Sequence, residues 1–321
     1  MASTLQQYLQ DDFDALNENV IRQLHSEVPL IENIGHYLIE AGGKRIRPLL
    51  ALLCARAFSY QGDQHINLAT VIEFLHTATL LHDDVVDMSE MRRGRPTANT
   101  RWGNPSSVLV GDFIYSRAFQ LLVTIADMRI MEVMATTTNK ISEGEVLQLV
   151  NQHNVAASET DYLNVIHNKT AILFAAACQS AAILAAADVS VQQKMHNFGL
   201  EVGMAFQLID DVLDYSGDSA ELGKNVGDDL AEGKPTLPLI YVLQHGTASE
   251  KALITEAIRD GGLEHLESII TLVRDSGALD YTRENAEQRI KTALACLDVV
   301  PASSYREGMV AVAQAAISRS K

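Results

Sequence analysis

Residues 66–87 read INLATVIEFLHTATLLHDDVVD, and this stretch decides the fold class. Its apolar positions Leu68, Ile72 and Leu75, followed by Thr79, recur at three- and four-residue steps, as on one face of an α-helix. The helical pattern runs directly into the acidic sequence DDVVD at 83–87. The stretch therefore predicts a long core helix with carboxylates at its end.

The same periodicity extends over most of the chain. It recurs at 108–123 and 195–213, and no run alternates apolar and polar residues as a half-buried strand does. The residue pairs Ser158/Asp161 and Ser190/Gln193 have the spacing of capping boxes, which predicts a helix start at each. We expect an all-α fold made of one domain, residues 1–321.

Two polar segments interrupt this pattern, at 89–104 and 216–235. Both contain glycines and several charges, and an apolar helical pattern resumes directly after each. We therefore interpret them as functional loops at one end of a helical bundle and not as domain linkers.

Composition excludes some function classes. The chain has 321 residues with 41 acidic and 25 basic side chains, a net charge of −16, which argues against nucleic acid as a partner. Its 3 cysteines are far apart in sequence, as expected of buried thiols in a reducing compartment. The apolar run 171–187 is rich in alanine and short for a transmembrane segment, so it predicts a buried helix. We expect a cytoplasmic protein without a transmembrane segment.

The acidic motif D-D-x-x-D occurs twice, at 83–87 and 210–214. On a helix, positions i and i+4 share a face, so Asp83 should point with Asp87, and Asp210 with Asp214. Stacked carboxylates repel one another unless a cation lies between them, and hard oxygen ligands suit Mg²⁺, which bridges carboxylates to phosphates. A solvated acidic helix end is the alternative interpretation, but two copies favour a metal site.

Cationic side chains accompany these motifs. They lie at Lys44, Arg45, Arg47, Arg92, Arg93, Arg95, Lys169, Lys224 and Lys234. Arginine suits bidentate phosphate recognition and lysine supplies a point charge. No Gly-Lys pair has the G-x-x-x-x-G-K-[ST] frame of a P-loop. We interpret Arg45 and Arg95 as ion-pair partners and the others as candidate ligands of phosphate groups.

A set of motifs resembles the trans prenyl diphosphate synthases, most closely the long-chain bacterial enzymes. The matching segments are GGKRIRP (42–48), HTATLLHDDVVDMSEMRRGRPT (76–97), GDF (111–113), EGEVLQL (143–149), KTAILF (169–174), FQLIDDVLDY (206–215) and GKNVGDDLAEGKPTLP (223–238). The resemblance implies a single large helical bundle of the isoprenoid synthase type around a deep central cavity. It also implies repeated head-to-tail addition of isopentenyl diphosphate to an allylic diphosphate.

The resemblance assigns roles to individual residues. Three Mg²⁺ ions would be held by Asp83, Asp87 and Asp210, supported by Asp84, Asp211 and Asp214. Ligands of the allylic diphosphate would be Arg92, Lys169, Thr170, Gln207, Lys224 and Lys234. Ligands of isopentenyl diphosphate would be Lys44, Arg47, His76 and Arg93, although a lone histidine such as His76 is also compatible with ordinary core packing.

Product length should depend on the size of the side chains below the first acidic motif. Ala78 and Thr79 are small, whereas short-chain relatives carry bulky aromatics near these positions. Leu122, Met131 and Met134 are candidates for a deeper floor, although core packing explains them about as well. We expect a product near forty carbons, as in the side chain of ubiquinone.

Two alternatives remain at this stage. A class I terpene cyclase also uses a D-D-x-x-D helix with Mg²⁺, but it needs no isopentenyl diphosphate site and normally has a different second metal motif. A non-catalytic synthase subunit should have lost acidic residues, whereas all six aspartates are present. The resemblance further implies a homodimer and farnesyl diphosphate as a primer.

Overall fold

The computed structural model describes residues 9–216, 227–261 and 263–318. Its elements are α1 (Gln10–Gln23), α2 (Pro29–Glu40), α3 (Ile46–Ala57), α4 (Gln64–Val86), β1 (Met91–Arg92), β2 (Arg95–Pro96), α5 (Ala98–Trp102), α6 (Asn104–Ile125), α7 (Met128–Asn151), α8 (Glu159–Ile166), a π-helix (His167–Ala171), α9 (Ile172–Leu184), α10 (Val189–Ser216), α11 (Asp228–Ala231), α12 (Leu237–His245), α13 (Ala248–Asp260), a 3₁₀ turn (Leu263–His265), α14 (Leu266–Asp275), α15 (Ala278–Ala295), a second 3₁₀ turn (Cys296–Val299) and α16 (Ser304–Ile317). The all-α prediction is confirmed, with one short hairpin as the strand content of the described residues.

Backbone packing divides the chain into two units. The first unit consists of Met1–Thr138, Leu173–Gly199 and Cys296–Val312. The second unit consists of Asn139–Ile172, Leu200–Ala295 and Ala313–Lys321. That the chain forms one domain stays a prediction.

Helix α4 is the centre of the first unit. It packs against α6, α3 and α1, and its side chains Leu68, Ile72 and Phe74 are fully buried. The apolar run around α9 is buried as predicted, and the Cys54 thiol, also buried, donates a hydrogen bond to the Cys178 carbonyl at 3.2 Å. Burial of apolar side chains on several sides of α4 fixes its position within the unit.

A charged contact fastens α1 to the rest of this unit. Arg56 donates to both carboxylate oxygens of Asp12 at 2.7 and 2.6 Å, and His65 Nε2 lies 3.0 Å from Asp12 Oδ1. Burial alone would raise the pKa of Asp12, but Arg56 and His65 together outweigh burial and hold the pKa well below its usual range.

The second unit has its own core. Tyr215, Leu239, Ile254 and Val273 are among its buried residues, and α12 packs against α13, α14 and α15. The capping box predicted at Ser158 is present at the start of α8. The one predicted at Ser190 is wrong, because α10 begins at Val189 and Ser190 is already helical.

The segment 89–104 is more ordered than a plain loop. Strands β1 and β2 pair antiparallel around Arg93 and Gly94, whose φ angles are 53° and 72°. Two consecutive residues of positive φ form the tight turn that joins hairpin strands, and glycine accepts this conformation without strain. The hairpin therefore presents Arg92 and Arg93 directly after the first acidic motif.

Candidate active site

The first acidic motif forms the end of α4. The helix ends at Val86, and the Asp87 N–H still donates to the Asp83 carbonyl at 2.8 Å, so these two residues keep the predicted i, i+4 relation. Asp83 and Asp87 are half-buried, whereas Asp84 is only 1% exposed. Asp84 faces Arg92, whose Nε and Nη2 both lie 2.7 Å from Asp84 Oδ1. Burial raises the pKa of Asp84, and the Arg92 charge opposes that rise.

A cleft of about 610 Å³ adjoins this motif in the first unit. Its lining includes Asp84 together with His76, Arg92 and Arg93, which the resemblance assigned to diphosphates. Lys44 and Arg47 are outside the lining. The cleft is lined by several guanidinium groups, which can form strong bidentate hydrogen bonds to phosphate oxygens.

His76 is held neutral. Burial and the charges of Arg47, Arg93 and Arg92 keep the pKa of His76 well below its usual value. Arg47 Nη1 lies 3.2 Å from His76 Nε2, and because a guanidinium only donates, Nε2 must accept and the ring proton belongs on Nδ1. The Arg47 guanidinium also lies 4.4 Å from the centre of the Phe174 ring, which fixes it from a second side.

Two further cations of the cleft, Arg45 and Arg95, form the ion pairs expected from sequence. Arg45 and Glu73 both line the cleft and form an ion pair at 3.8 Å, and Arg95 pairs with Glu40 at 3.9 Å. Arg45 and Arg95 are thus ion-pair partners, although both also line the cleft. The sequence around Glu73 does not indicate a role for it, because a single polar residue on an apolar helix is common.

Gly43 explains how Arg93 approaches the backbone of the GGKRIRP segment. A Cβ atom at Gly43 would lie only 2.8 Å from Arg93 Nη1. Any side chain at position 43 would therefore displace the Arg93 guanidinium, and glycine leaves room for it.

The second acidic motif lies within α10 and is more deeply buried. Asp210 is half-buried, whereas Asp211 and Asp214 are 2% and 0% exposed. The predicted i, i+4 pair thus differs in access to solvent, because the end of α10 enters the core around Tyr215.

Asp211 is held by two uncharged donors. The hydroxyl of Tyr162 donates to Oδ2 at 2.6 Å, and the amide of Gln207 donates to Oδ1 at 2.8 Å. The pKa of Asp211 is raised to about 7, because burial and the charge of Asp229 raise it by more than the two donors lower it. Sequence gave no sign of Tyr162, which is 49 residues away from Asp211 along the chain.

Lys169 and Thr170 are carried by the π-helix, a rare form that is frequent at functional sites. Lys169 Nζ lies 2.6 Å from Glu145 Oε2, and the Thr170 hydroxyl donates to Gln207 Oε1 at 3.1 Å. A Cβ atom at Gly144 would lie 2.7 Å from the Lys169 backbone nitrogen, so only glycine lets α7 approach the π-helix this closely.

Lys234 occupies a turn after α11 and forms an ion pair with Glu232. The preceding Gly233 carbonyl accepts a hydrogen bond from the His153 N–H at 2.8 Å, which fastens this turn to the end of α7. Lys224, the other predicted lysine of this segment, lies outside the described residues.

The candidate chain-length residues belong to the first unit. Ala78, Leu122 and Met134 are buried, and Thr79 and Met131 are half-buried. The Thr79 hydroxyl donates to the His76 carbonyl at 2.8 Å, so the polar atom of this side chain is paired with the backbone of its own helix.

The donor chemistry of the acidic motifs fits Mg²⁺. Asp83, Asp87 and Asp210 are the half-buried members of the six aspartates, and Asp84, Asp211 and Asp214 are the buried ones. Within 9–216, 227–261 and 263–318, no three His, Cys, Asp or Glu side chains converge as a ready metal cage. Mg²⁺ in proteins is commonly held by one or two carboxylates and takes its other ligands from water and substrate phosphates.

Comparison with known proteins places these features in one family. Residues 28–273 match the polyprenyl synthetase family. Octaprenyl diphosphate synthase of Haemophilus influenzae is 47% identical over 316 residues, 98% of this chain and 96% of the relative. A geranyl-diphosphate-specific all-trans-nonaprenyl-diphosphate synthase of Rhodobacter capsulatus is 46% identical over 309 residues, 96% of this chain and 95% of the relative.

A solved structure agrees in fold over the whole chain. Polyprenyl synthase of Caulobacter crescentus, crystallised with calcium and isoprenyl diphosphate, is 41% identical with a TM-score of 0.97 and covers 100% of this chain and 98% of its own. The helical architecture is therefore the isoprenoid synthase fold, and the prediction from the motifs is confirmed. The chain belongs to the polyprenyl synthetase family of trans-prenyltransferases.

Proposed function

We propose that this enzyme is a Mg²⁺-dependent synthase of octaprenyl diphosphate, which extends an allylic diphosphate by repeated head-to-tail addition of isopentenyl diphosphate. The observation that carries the proposal is the cleft of the first unit, which is lined by Asp84 of the first acidic motif together with Arg92, Arg93 and His76. The identity to an octaprenyl diphosphate synthase over 98% of the chain supports the product length.

Isopentenyl diphosphate would bind to Lys44, Arg47, His76 and Arg93. Of these, His76 would donate from Nδ1 as a neutral group, because Nε2 already accepts from Arg47. A neutral donor beside arginines holds an anion without adding a charge that could be titrated near neutral pH.

The allylic diphosphate would bind to Arg92, Lys169, Thr170, Gln207, Lys224 and Lys234. Asp83, Asp87 and Asp210 would hold Mg²⁺, three ions by resemblance to the family, which neutralise charge on the leaving diphosphate when bound. Asp84 would orient Arg92 through its ion pair, and Asp211 and Asp214 would support the second motif from within the core. No side chain is assigned as the base that removes the proton.

A turnover assay tests the proposal directly. Purified enzyme is incubated with Mg²⁺, farnesyl diphosphate and isopentenyl diphosphate, and the products are sized by chromatography. We expect a ladder ending near forty carbons. A cyclised hydrocarbon without incorporation of isopentenyl units would indicate a terpene cyclase, and no turnover at all would indicate a non-catalytic subunit.

Chain length would be limited by Ala78, Thr79, Leu122 and Met134. The change Ala78→Phe places an aromatic ring about one turn below Asp83, and we expect it to shorten the main product by several isoprene units. Ala78→Ser keeps the side-chain size and should keep the product. If Ala78→Phe folds with an unchanged melting temperature and makes the same product, Ala78 does not face the growing chain.

A homodimer would use the exposed face of α6. This helix is long and apolar enough to cross a membrane by length and composition, and 39% of its apolar window is buried. Leu109 and Val123 are each 67% exposed on it, and a second copy of the chain would cover such apolar residues. Sedimentation of Leu109→Glu against the unaltered enzyme would test this, with a monomer expected for the variant.

The cellular setting follows from the proposed product. An octaprenyl chain would serve as the side chain of ubiquinone, with the enzyme acting in the cytoplasm and its product passing to the membrane. Cell fractionation and the quinone content of a deletion strain would test both points.

A further inference from the structure

Helix α10, which carries the second acidic motif, is hydrogen-bonded to α8 and to the π-helix that follows α8. Tyr162 of α8 donates to Asp211, and Thr170 of the π-helix donates to Gln207. Gln207 also donates to Asp211, so the four side chains form one connected network.

The hydrogen-bond directions within this network are fixed by chemistry. Burial raises the pKa of the Tyr162 phenol well above its usual value, so its hydroxyl is protonated and donates. Gln207 turns its NH₂ group to Asp211 Oδ1 and its carbonyl to the Thr170 hydroxyl. The Thr170 hydroxyl therefore donates to Gln207, and this hydrogen bond orients the Thr170 side chain.

Tyr162 is placed by its own sequence neighbourhood. The capping box of Ser158 fixes the start of α8, and the Tyr162 N–H bonds to the Ser158 carbonyl at 3.1 Å in the first turn. Tyr162 is itself buried, so its hydroxyl has a defined position against Asp211.

We infer that Tyr162 is a positioning residue for the allylic diphosphate site: through Asp211 and Gln207 it fixes the orientation of Thr170 and of the second acidic motif. This rests on the proposed function, which assigns Gln207 and Thr170 to that substrate. Tyr162 itself touches no reacting group, so its effect passes through the hydrogen bond to Asp211.

The change Tyr162→Phe removes one oxygen and keeps the ring. We expect the KM for farnesyl diphosphate to rise about tenfold and kcat to fall by a similar factor, the scale of a charge-assisted hydrogen bond. The KM for isopentenyl diphosphate should change less than about twofold, because its proposed ligands are other residues. Calorimetric titration of farnesyl diphosphate with Mg²⁺, without isopentenyl diphosphate, should give the same loss of affinity.

Tyr281→Phe is the matched control. Tyr281 also donates to a carboxylate on α8, Glu159, at 3.0 and 3.1 Å, but Glu159 belongs to neither acidic motif. Both variants should melt somewhat earlier than the unaltered enzyme, and only Tyr162→Phe should show the split between the two substrates. An equal effect of Tyr281→Phe would mean that α8 needs only to be docked, and would overturn the inference.

A double-mutant cycle tests the route through Asp211. Asp211→Asn should reproduce the loss of affinity for farnesyl diphosphate, and adding Tyr162→Phe to it should cause little further loss. Additive losses would overturn the inference. If Tyr162→Phe fails to fold, Asp211→Asn is tested in its place. A higher KM for farnesyl diphosphate with a nearly unchanged KM for isopentenyl diphosphate supports the inference, and equal changes in both KM values overturn it.

The proposed function and this inference fail separately. An unaltered enzyme without turnover refutes the function, whereas an active enzyme whose Tyr162→Phe variant has unchanged kinetics and affinity refutes the inference alone.

Discussion

The two acidic motifs have the same D-D-x-x-D pattern, yet their middle carboxylates are supported in different ways. Asp84 is paired with a guanidinium, that of Arg92, which also lines the cationic cleft of the first unit. Asp211 is held by a phenol and an amide, from Tyr162 and Gln207. The burial of both carboxylates is nearly equal, at 1% and 2% exposed.

This difference shows what each support can do. An ion pair balances the charge of the buried carboxylate and holds a cation that can meet substrate phosphate. Neutral donors satisfy the carboxylate without balancing its charge, and they link two helical segments. The first motif is therefore paired with a cation of the cleft, whereas the second is hydrogen-bonded to another helix of its own unit.

The largest expected effect comes from the half-buried aspartates. Asp83→Asn and Asp210→Asn should each lower kcat by about 1,000-fold or more, because each is proposed to hold Mg²⁺, and the ion would stabilise the charge that develops on the leaving diphosphate by several kcal/mol. Steady-state turnover at saturating substrates measures this.

The buried Asp84 and Asp211 serve as the comparison, with losses of about 10- to 100-fold on replacement by Asn. Asp280→Asn is the control, since Asp280 is 81% exposed and pairs only with its neighbour Arg283. Equal losses of kcat at the half-buried and the buried aspartates would contradict the proposal that the first group holds Mg²⁺ and the second supports it.

A middle-sized effect should follow from removing the cation of the first motif. Arg92→Met leaves the Asp84 carboxylate buried without its counter-charge, and we expect a loss of about 2–3 kcal/mol in the free energy of unfolding, reduced from the fully buried case because Arg92 is partly exposed. Urea unfolding at neutral pH measures it, and Tyr162→Phe should lose only about 1 kcal/mol.

Arg95→Met is the control for this prediction. Arg95 and Glu40 are separated by 3.9 Å with 39% and 69% of their side chains exposed, so the pair should contribute less than about 0.5 kcal/mol. If Arg92→Met were no more harmful than Arg95→Met, charge balance would not be what holds Asp84.

The smallest effect concerns a second charge-held carboxylate of the first unit, Asp12. Its pKa is depressed in the folded state by Arg56 and His65, so its contribution is present above its unfolded pKa near 4 and is lost as the pH falls toward the folded value. Asp12→Asn should lower stability by about 1 kcal/mol at pH 7 and flatten the decline in stability below pH 4.

Urea midpoints at several pH values between 7 and 2 measure this decline. Asp11→Asn, an exposed neighbour in the same helical turn, should keep the decline of the unaltered enzyme. A decline that stays the same in Asp12→Asn would show that other carboxylates control acid unfolding.

Much of the fold could be predicted because helices are local. The three- and four-residue spacing of Leu68, Ile72 and Leu75 predicts α4, and the Ser158 capping box predicts the start of α8. The hairpin at Arg93 was missed, since strands of two residues are too short to show alternation.

The candidate site divides in the same way. Spacing along one helix made the acidic motifs visible and predicted that Asp210 and Asp214 share a face, but it carries no information on their burial, and Asp214 is fully buried. Tyr162, Glu73 and Gly144 contact residues 49, 28 and 25 positions away along the chain, and periodicity carries no information about such partners.

The sequence by itself determined the helices, the six aspartates and the cations that accompany them, because each depends on near neighbours along the chain. Only the tertiary structure decided which carboxylates reach solvent, which nitrogen of His76 carries its proton and that Asp211 is held by Tyr162. Burial and hydrogen-bond partners arise from packing between segments that are distant along the chain. For this reason one aspartate of a motif is a candidate metal ligand and the next is a candidate support.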